Sequence, residues 1–299
     1  EKQKNKNDVL LSLSTVRSTL NNLREFFLWL TVHPNYSKKI DGRVVPYLRL
    51  SDNDNRAARA TREKTPPTLN QLESTLRTMP EKTDIEKRNK GMFAFVIITC
   101  VRNDALITLK MKDIDVEKKT AWQDPKHVRT KRRKGIVTGF VRAVMPLAED
   151  IVLEWIKYAT EVLELKPNDP IFPKTRIAPS PLTGVFETQG LSNEHWANTQ
   201  PVREIFKEAF KSDNEQYFNP HLFRNTVIQW ALKNCTQYEF KALSQNFGHE
   251  HAMTTYNAYG NLRENQQLEA IANIGKVNTD LQNVSVDDLL EEVRRRSGK

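Results

Sequence analysis

Residues 219–260 read NPHLFRNTVIQWALKNCTQYEFKALSQNFGHEHAMTTYNAYG, and this stretch decides how the chain is read. Asn219 ahead of Pro220 marks a helix start, because Asn is a favoured N-cap and Pro a favoured first helical residue. His221 and Arg224 then fall in the first turn, at i and i+3, on one face. Helix N-termini already attract phosphate, so this pair reads either as a phosphate clamp or as an incidental pair on a capped helix. Thr236 with Glu239 makes a capping box for the next helix, and Gly248 suits its C-terminal stop. His249 follows that stop, with Tyr256 and Tyr259 seven and ten residues further on. A histidine so placed suits a site where tyrosine is the nucleophile. His249, Glu250 and His251 lack the i, i+4 histidine spacing of a zinc-binding HExxH helix, so no metal site is expected there.

Upstream, Met92 to Val101 is the longest apolar run and fits a buried helix spanning Glu86 to Cys100, with Arg102 where it ends. An arginine keeps its proton, so Arg102 is either salt-bridged or aimed at an anion. A short helix is expected around Asp104 to Lys110. From Asp113 to Phe140 the sequence suggests strands around a basic cluster, Lys126-His127-Val128-Arg129-Thr130-Lys131-Arg132-Arg133-Lys134, with Val141 to Pro146 completing a hairpin. That cluster is either a solvated loop or a match for a phosphate backbone. Asp150 to Leu165 reads as a helix burying Ile151, Val152, Trp155, Ile156, Val162 and Leu163. Residues 166–200 read as proline-rich loop and Val202 to Lys211 as helix.

Toward the N-terminus, Thr68 can cap a helix running through Arg77. Residues 33–67 are charged, carry Pro34, Pro46, Pro66 and Pro67, and read as a linker. Residues 9–32 place Val16, Leu20, Leu23, Phe26, Phe27 and Leu30 at helical spacing. At the other end, Ser285 with Asp288 opens a short helix carrying Leu289, Leu290 and Val293.

The 299 residues allow two domains. Lys plus Arg is 46 against 37 Asp plus Glu, a net charge of +9, which favours a polyanionic partner, either nucleic acid or an anionic membrane surface. No apolar run is long enough to span a membrane. Cys100 and Cys235 are the only cysteines, so neither a disulfide framework nor a cysteine zinc site is expected, and a reducing, cytoplasmic setting fits.

Taken together, Arg102, the basic cluster, His221 to Arg224 and Gly248 to Tyr259 resemble the tyrosine recombinase family of the phage-integrase type, from about Thr68 to Gln267. The family's first arginine stands ahead of two leucines and an aspartate, matched by Arg102 with Leu106, Leu109 and Asp113 to Asp115. Its hairpin lysine matches Lys131, with Lys134 as the alternative. Its His-x-x-Arg box is His221 to Arg224, and its Gly-His is Gly248–His249. The nucleophile follows that histidine by nine or ten residues, which selects Tyr259 over Tyr256. One departure is Ala105, where many members carry an acidic residue, although Asp104 is adjacent.

The resemblance implies a mainly α fold with a small antiparallel β-hairpin or sheet (α+β), a tyrosine-recombinase-type catalytic domain. It implies DNA cutting and rejoining through a 3′-phosphotyrosine, with Arg102, Lys131, His221, Arg224, His249 and Tyr259 as catalytic residues and no metal, ATP or other cofactor. Lys126, Arg129, Arg132, Arg133 and Lys134 would bind double-stranded DNA. The expected assembly is a homotetramer on two duplexes in the bacterial cytoplasm, away from membranes. The expected domains are a core-binding remnant (1–33), a linker (34–67), the catalytic domain (68–277) and a tail (278–299) able to dock on a neighbouring subunit. The start at Glu1, which is not a methionine, suggests that the rest of the core-binding domain lies upstream. The alternatives are a non-catalytic DNA-binding relative, a type IB topoisomerase or telomere resolvase, and a basic interaction protein whose motifs are coincidental.

Overall fold

The computed structural model describes residues 11–60, 65–180, 183–213 and 215–248, together with 268 and 271. The chain divides into two compact units, Glu1–Thr65 and Pro66–Lys299. The expected helix at 285–293 lies outside the described residues.

In the first unit α1 spans Leu13–Val32, N-capped by the Ser12 hydroxyl, which accepts from Thr15 N. Of its apolar residues only Leu30 is buried. The stretch read as a linker carries more order than its prolines suggest. A 3-10 turn covers Gly42–Tyr47 and α2 covers Asp52–Arg59, capped by Ser51. The side chain of Arg17 on α1 donates to Asn55 on α2 at 2.8 Å.

The second unit is built around α4 (Asp84–Thr99), which follows α3 (Leu69–Thr78). Both helices open with complete capping boxes, Thr68 with Gln71 and Thr83 with Glu86. From Met92 to Ile98 no residue of α4 is more than 1% exposed. This explains the unbroken apolar run, since a helix covered on all sides has no polar face to preserve. Phe93 of α4 meets Phe206 and Phe210 of α7 (Gln200–Ser212) and Phe223 of α8 (Leu222–Asn234), with ring centroids 4.8, 5.6 and 5.2 Å away. This aromatic knot fixes the start of α8 against α4. The chain ends its described run with α9 (Gln237–Asn246), opened by the expected Thr236–Glu239 capping box.

Between α4 and α6 (Pro146–Glu161) lie the short α5 (Asn103–Leu106) and a three-stranded antiparallel sheet. Its strands are β1 (Ile114–Asp115), β2 (Thr120–Gln123) and β3 (Ile136–Gly139), with β2 in the middle. The mainly helical, α+β expectation therefore holds, with several corrections. Val141 to Pro146 does not complete the hairpin. Val141 N donates to Ile98 O at 2.9 Å, a 3-10 turn takes Arg142–Val144, and Pro146 starts α6. Helix α6 consequently begins before Asp150, and Val162 beyond its end is exposed while Val152, Trp155 and Ile156 are buried. Helix α5 ends at Leu106, short of the expected Lys110, which instead bridges to Pro170.

The stretch read as loop at 166–200 contains an antiparallel hairpin, β4 (Thr175–Pro179) with β5 (Phe186–Leu191). Both strands are largely exposed, so they lack the in–out alternation that marks a strand in sequence. The hairpin is rooted by Arg88, which is 1% exposed. Its guanidinium donates to Pro173 O and to Thr175 Oγ1 (3.0 Å) and lies 4.7 Å from the Trp196 ring centroid.

Candidate active site

The site assembles where α4 ends, α8 begins and α9 ends. Helix α4 stops at Cys100, whose left-handed backbone (φ 50°) turns the chain so that Arg102 N-caps α5. The turned Cys100 carbonyl accepts from Arg224 Nε at 2.7 Å. Arg224 is 4% exposed, and its guanidinium carbon stands 5.4 Å from the Phe247 ring centroid. Its Nη1 is buried and has no hydrogen-bond partner among the described residues. A buried charged donor that stayed without any partner would cost more than about 1–3 kcal/mol. The Cys100 thiol is pushed up to about 12 by burial, against the pull of Arg224, so it stays a thiol beside the site.

His221 precedes α8 as its N-cap residue. Asn219 does cap this end through its side chain, accepting from His221 N at 3.0 Å, although the regular helix starts two residues later than Pro220. His221 is exposed at the surface, yet partial desolvation lowers its pKa below the ordinary value, and the charges of Arg224 and then Arg102 lower it further. The imidazole is therefore neutral at neutral pH and able to take a proton. His221 stands three residues before Arg224, whose Nε holds the Cys100 carbonyl two residues ahead of Arg102.

Gly248 closes the arrangement. Its φ of +75° is left-handed, and a Cβ there would fall 2.6 Å from Ile136 Cδ1 and 3.9 Å from Arg102 Nη1. The end of α9 is thus packed against the start of β3 and against Arg102. Asn246 locks it by donating Nδ2 to Gly139 O (3.0 Å) and accepting from Gly139 N (2.6 Å).

Arg102, His221, Arg224 and Gly248 therefore come together. Lys131 begins a 3-10 turn, Lys131–Arg133, in the long connection between β2 and β3, and is exposed. Lys126, Arg129, Arg133 and Lys134 on the same connection are exposed, and Arg129 Nη1 donates to Ala197 O at 3.2 Å. For Arg132 only the backbone is described, as part of that turn. His249, Tyr256 and Tyr259 lie outside the described residues. Asn246 and Phe247, which brace the site, lie in the stretch Ser244 to His249, whose sequence resembles an integrase subgroup but does not by itself assign them a contact. Among the described residues no three His, Cys, Asp or Glu side chains converge as metal ligands would, and no helix is long and apolar enough to cross a membrane.

A family model described as the phage integrase family matches residues 68–266. No curated protein matches the chain. Among solved structures, the XerH site-specific recombinase bound to palindromic difH substrate, a post-cleavage complex, matches with TM-score 0.55 and 16% identity, over 89% of this chain and 69% of that one. XerA recombinase matches with TM-score 0.49 and 16% identity over 89% of each chain. The Tn1549 transposon integrase in complex with circular intermediate DNA matches with TM-score 0.49 and 18% identity, over 87% of this chain and 79% of that one. The XerH match shows a shared fold.

Proposed function

The chain belongs to the phage integrase family and is a tyrosine-type site-specific recombinase, and from that premise we propose that it cuts and rejoins double-stranded DNA through a 3′-phosphotyrosine formed on Tyr259. The observation that carries this reading is the buried Arg224 Nη1, without a hydrogen-bond partner among the described residues, on a side chain that holds the Cys100 carbonyl just ahead of Arg102 and stands one turn from His221 at a helix N-terminus. Such a pocket suits a phosphodiester, whose two non-bridging oxygens each take forked guanidinium bonds.

The Tyr259 oxygen attacks the scissile phosphorus while its proton passes to His221. The P–O5′ bond breaks, and the 5′-oxygen takes a proton from Lys131 Nζ as general acid. The phosphotyrosyl ester conserves the bond, so a second 5′-hydroxyl can reverse the attack and reseal a strand without ATP. Arg102 and Arg224 meet the charge that grows on the non-bridging oxygens, and His249 donates to one of them. Cationic side chains supply the electrostatic stabilisation, and no step calls for a metal ion. Lys126, Arg129, Arg132, Arg133 and Lys134 hold the DNA backbone, which sets register more than sequence. In this reading residues 1–33 belong to a core-binding domain and 34–67 to the linker. The catalytic domain is 68–277, four subunits act on two duplexes, and the tail 278–299 docks on a neighbour through Leu289, Leu290 and Val293.

The test is covalent trapping on nicked suicide duplexes drawn from the DNA flanking the gene. The reading expects a protein–DNA adduct with wild type and Tyr256→Phe and none with Tyr259→Phe. Salt-sensitive DNA binding with no adduct from any variant would indicate a non-catalytic relative. Relaxation of supercoiled DNA without strand exchange would indicate a topoisomerase.

A further inference from the structure

We propose that His127, acting through Asp113, is a positioning residue that holds Lys131 in place for proton transfer to the leaving 5′-oxygen. The inference rests on Lys131 being the general acid. It starts from a difficulty in the sheet. The β2–β3 ladder closes at Gln123 opposite Ile136, and residues 124–135 run beyond it. A tight hairpin turn would fix its lysine through the ladder itself, but this connection is too long for that, and Lys131 is exposed.

Fixation comes instead from the segment that follows Arg102. Asp113 is 4% exposed, and its Oδ2 accepts from Lys110 N at 2.8 Å. His127 Nε2 stands 2.9 Å from both carboxylate oxygens of Asp113. A carboxylate accepts, so a proton on Nε2 makes this contact a hydrogen bond donated to Asp113. The other ring nitrogen, Nδ1, lies 3.8 Å from Asp124 Oδ2. Beside it Val128 is 3% exposed, and Arg129 N donates to Thr108 Oγ1 at 3.0 Å. That hydroxyl is in turn bonded to Asp104 O at 2.9 Å. His195, on the far side, donates Nδ1–H to Ile107 O at 3.1 Å and feels the charges of Lys110, His127 and Asp113.

Residues 127–129 are thus stitched to residues 104–113, which run on directly from Arg102. Lys131 follows the last stitch by two residues, so the anchor fixes where the lysine stands relative to the segment that carries the first arginine. The backbone bond and buried Val128 hold the chain, and the His127–Asp113 pair is the side-chain anchor among them. The imidazole does not touch the reacting atoms. Its effect on the reaction passes through Lys131.

The experiment compares single-turnover cleavage of two duplexes, one with the natural 5′-oxygen and one with sulfur in that bridging position. A thiolate leaves without a proton, so the sulfur substrate bypasses the general acid. On ordinary DNA His127→Ala should slow cleavage about 10- to 100-fold, part of the 10²–10⁴ that a positioned acid contributes. Asp113→Asn should act alike, because it leaves one carbonyl oxygen for two donors, and it serves should His127→Ala fold poorly. His127→Gln keeps an N–H donor toward Asp113 and should restore the rate, which a proton-transferring histidine would not allow. On sulfur DNA His127→Ala, Asp113→Asn and Lys131→Ala should all cleave like wild type. If Lys131→Ala is rescued by sulfur but His127→Ala is not, the proposal alone is overturned. Full activity of His127→Ala on ordinary DNA overturns it too. If Lys131→Ala is not rescued, the acid assignment itself fails and the proposal falls with it.

Discussion

Replacing Gly248 by alanine tests whether the end of α9 is seated against β3 and Arg102. The left-handed backbone at φ +75° costs a residue with a Cβ roughly 1–2 kcal/mol. The new methyl would also lie 2.6 Å from Ile136 Cδ1, against about 3.5–4.0 Å for carbon atoms at rest. Ile136 must retreat by about 1 Å, and crowding of that kind costs about 1–3 kcal/mol. Because the offending atom is the far end of a flexible side chain, the lower part of that range applies, for a total of about 2–3 kcal/mol. Gly190 supplies the reference: its φ is +88° and a Cβ there would meet nothing within 4 Å, so Gly190→Ala carries the backbone cost alone. Urea unfolding should therefore show Gly248→Ala destabilised beyond Gly190→Ala by about 1 kcal/mol or more. Single-turnover cleavage should fall in Gly248→Ala and hold in Gly190→Ala, since Arg102 Nη1 is only 3.9 Å from the added methyl. Equal losses of stability in the two variants, or full cleavage by Gly248→Ala, would refute the packing of Gly248 on Ile136 and Arg102.

Three further outcomes follow from the same geometry. Arg224→Lys keeps the charge, but one ammonium cannot both hold the Cys100 carbonyl and fork onto a phosphate; the cleavage rate should drop about 10²–10³-fold, and a loss under tenfold would contradict the clamp. His221 is lowered by partial desolvation and by the two guanidinium charges, so it serves as a base above that lowered pKa and is lost as pH falls through it; the acid limb of the second-order cleavage rate should lie below 6.5, and a limb above 6.5 would oppose the assignment. Changing Arg132, Arg133 and Lys134 together to Gln should flatten the plot of log affinity against log salt by about 0.9 for each phosphate no longer neutralised, as measured by fluorescence anisotropy, and an unchanged slope would remove this segment from the DNA interface.

Much of the fold was legible because it is written locally. Thr68 and the Thr236–Glu239 box mark their helix starts within three residues, and the run from Met92 to Val101 can only be an interior helix. Gly248 announces its own turn. What was missed depends on contacts far apart in the chain. The β4–β5 hairpin is exposed on both strands and is held by Arg88, about ninety residues upstream, so no alternation reveals it. Val141 to Pro146, expected to complete the hairpin, does not pair: Val141 gives its N–H to Ile98, and the strand opposite β2 is Ile136–Gly139. Within the site, His221 and Arg224 were readable from their spacing on one turn. The Cys100 carbonyl and Phe247 ring that aim Arg224, and the Asn246 clasp on Gly139, are tertiary facts with no local pattern.

The central claim is that Tyr259 carries the DNA. Its most direct test is mass spectrometry of the trapped adduct after digestion of protein and DNA, which reads both the modified side chain and the linkage. The account predicts a nucleotide joined through its 3′-phosphate to the Tyr259 oxygen, on a peptide in which Tyr256 is unmodified. An adduct on Tyr256 or on any other side chain, or one joined through a 5′-phosphate, would contradict it.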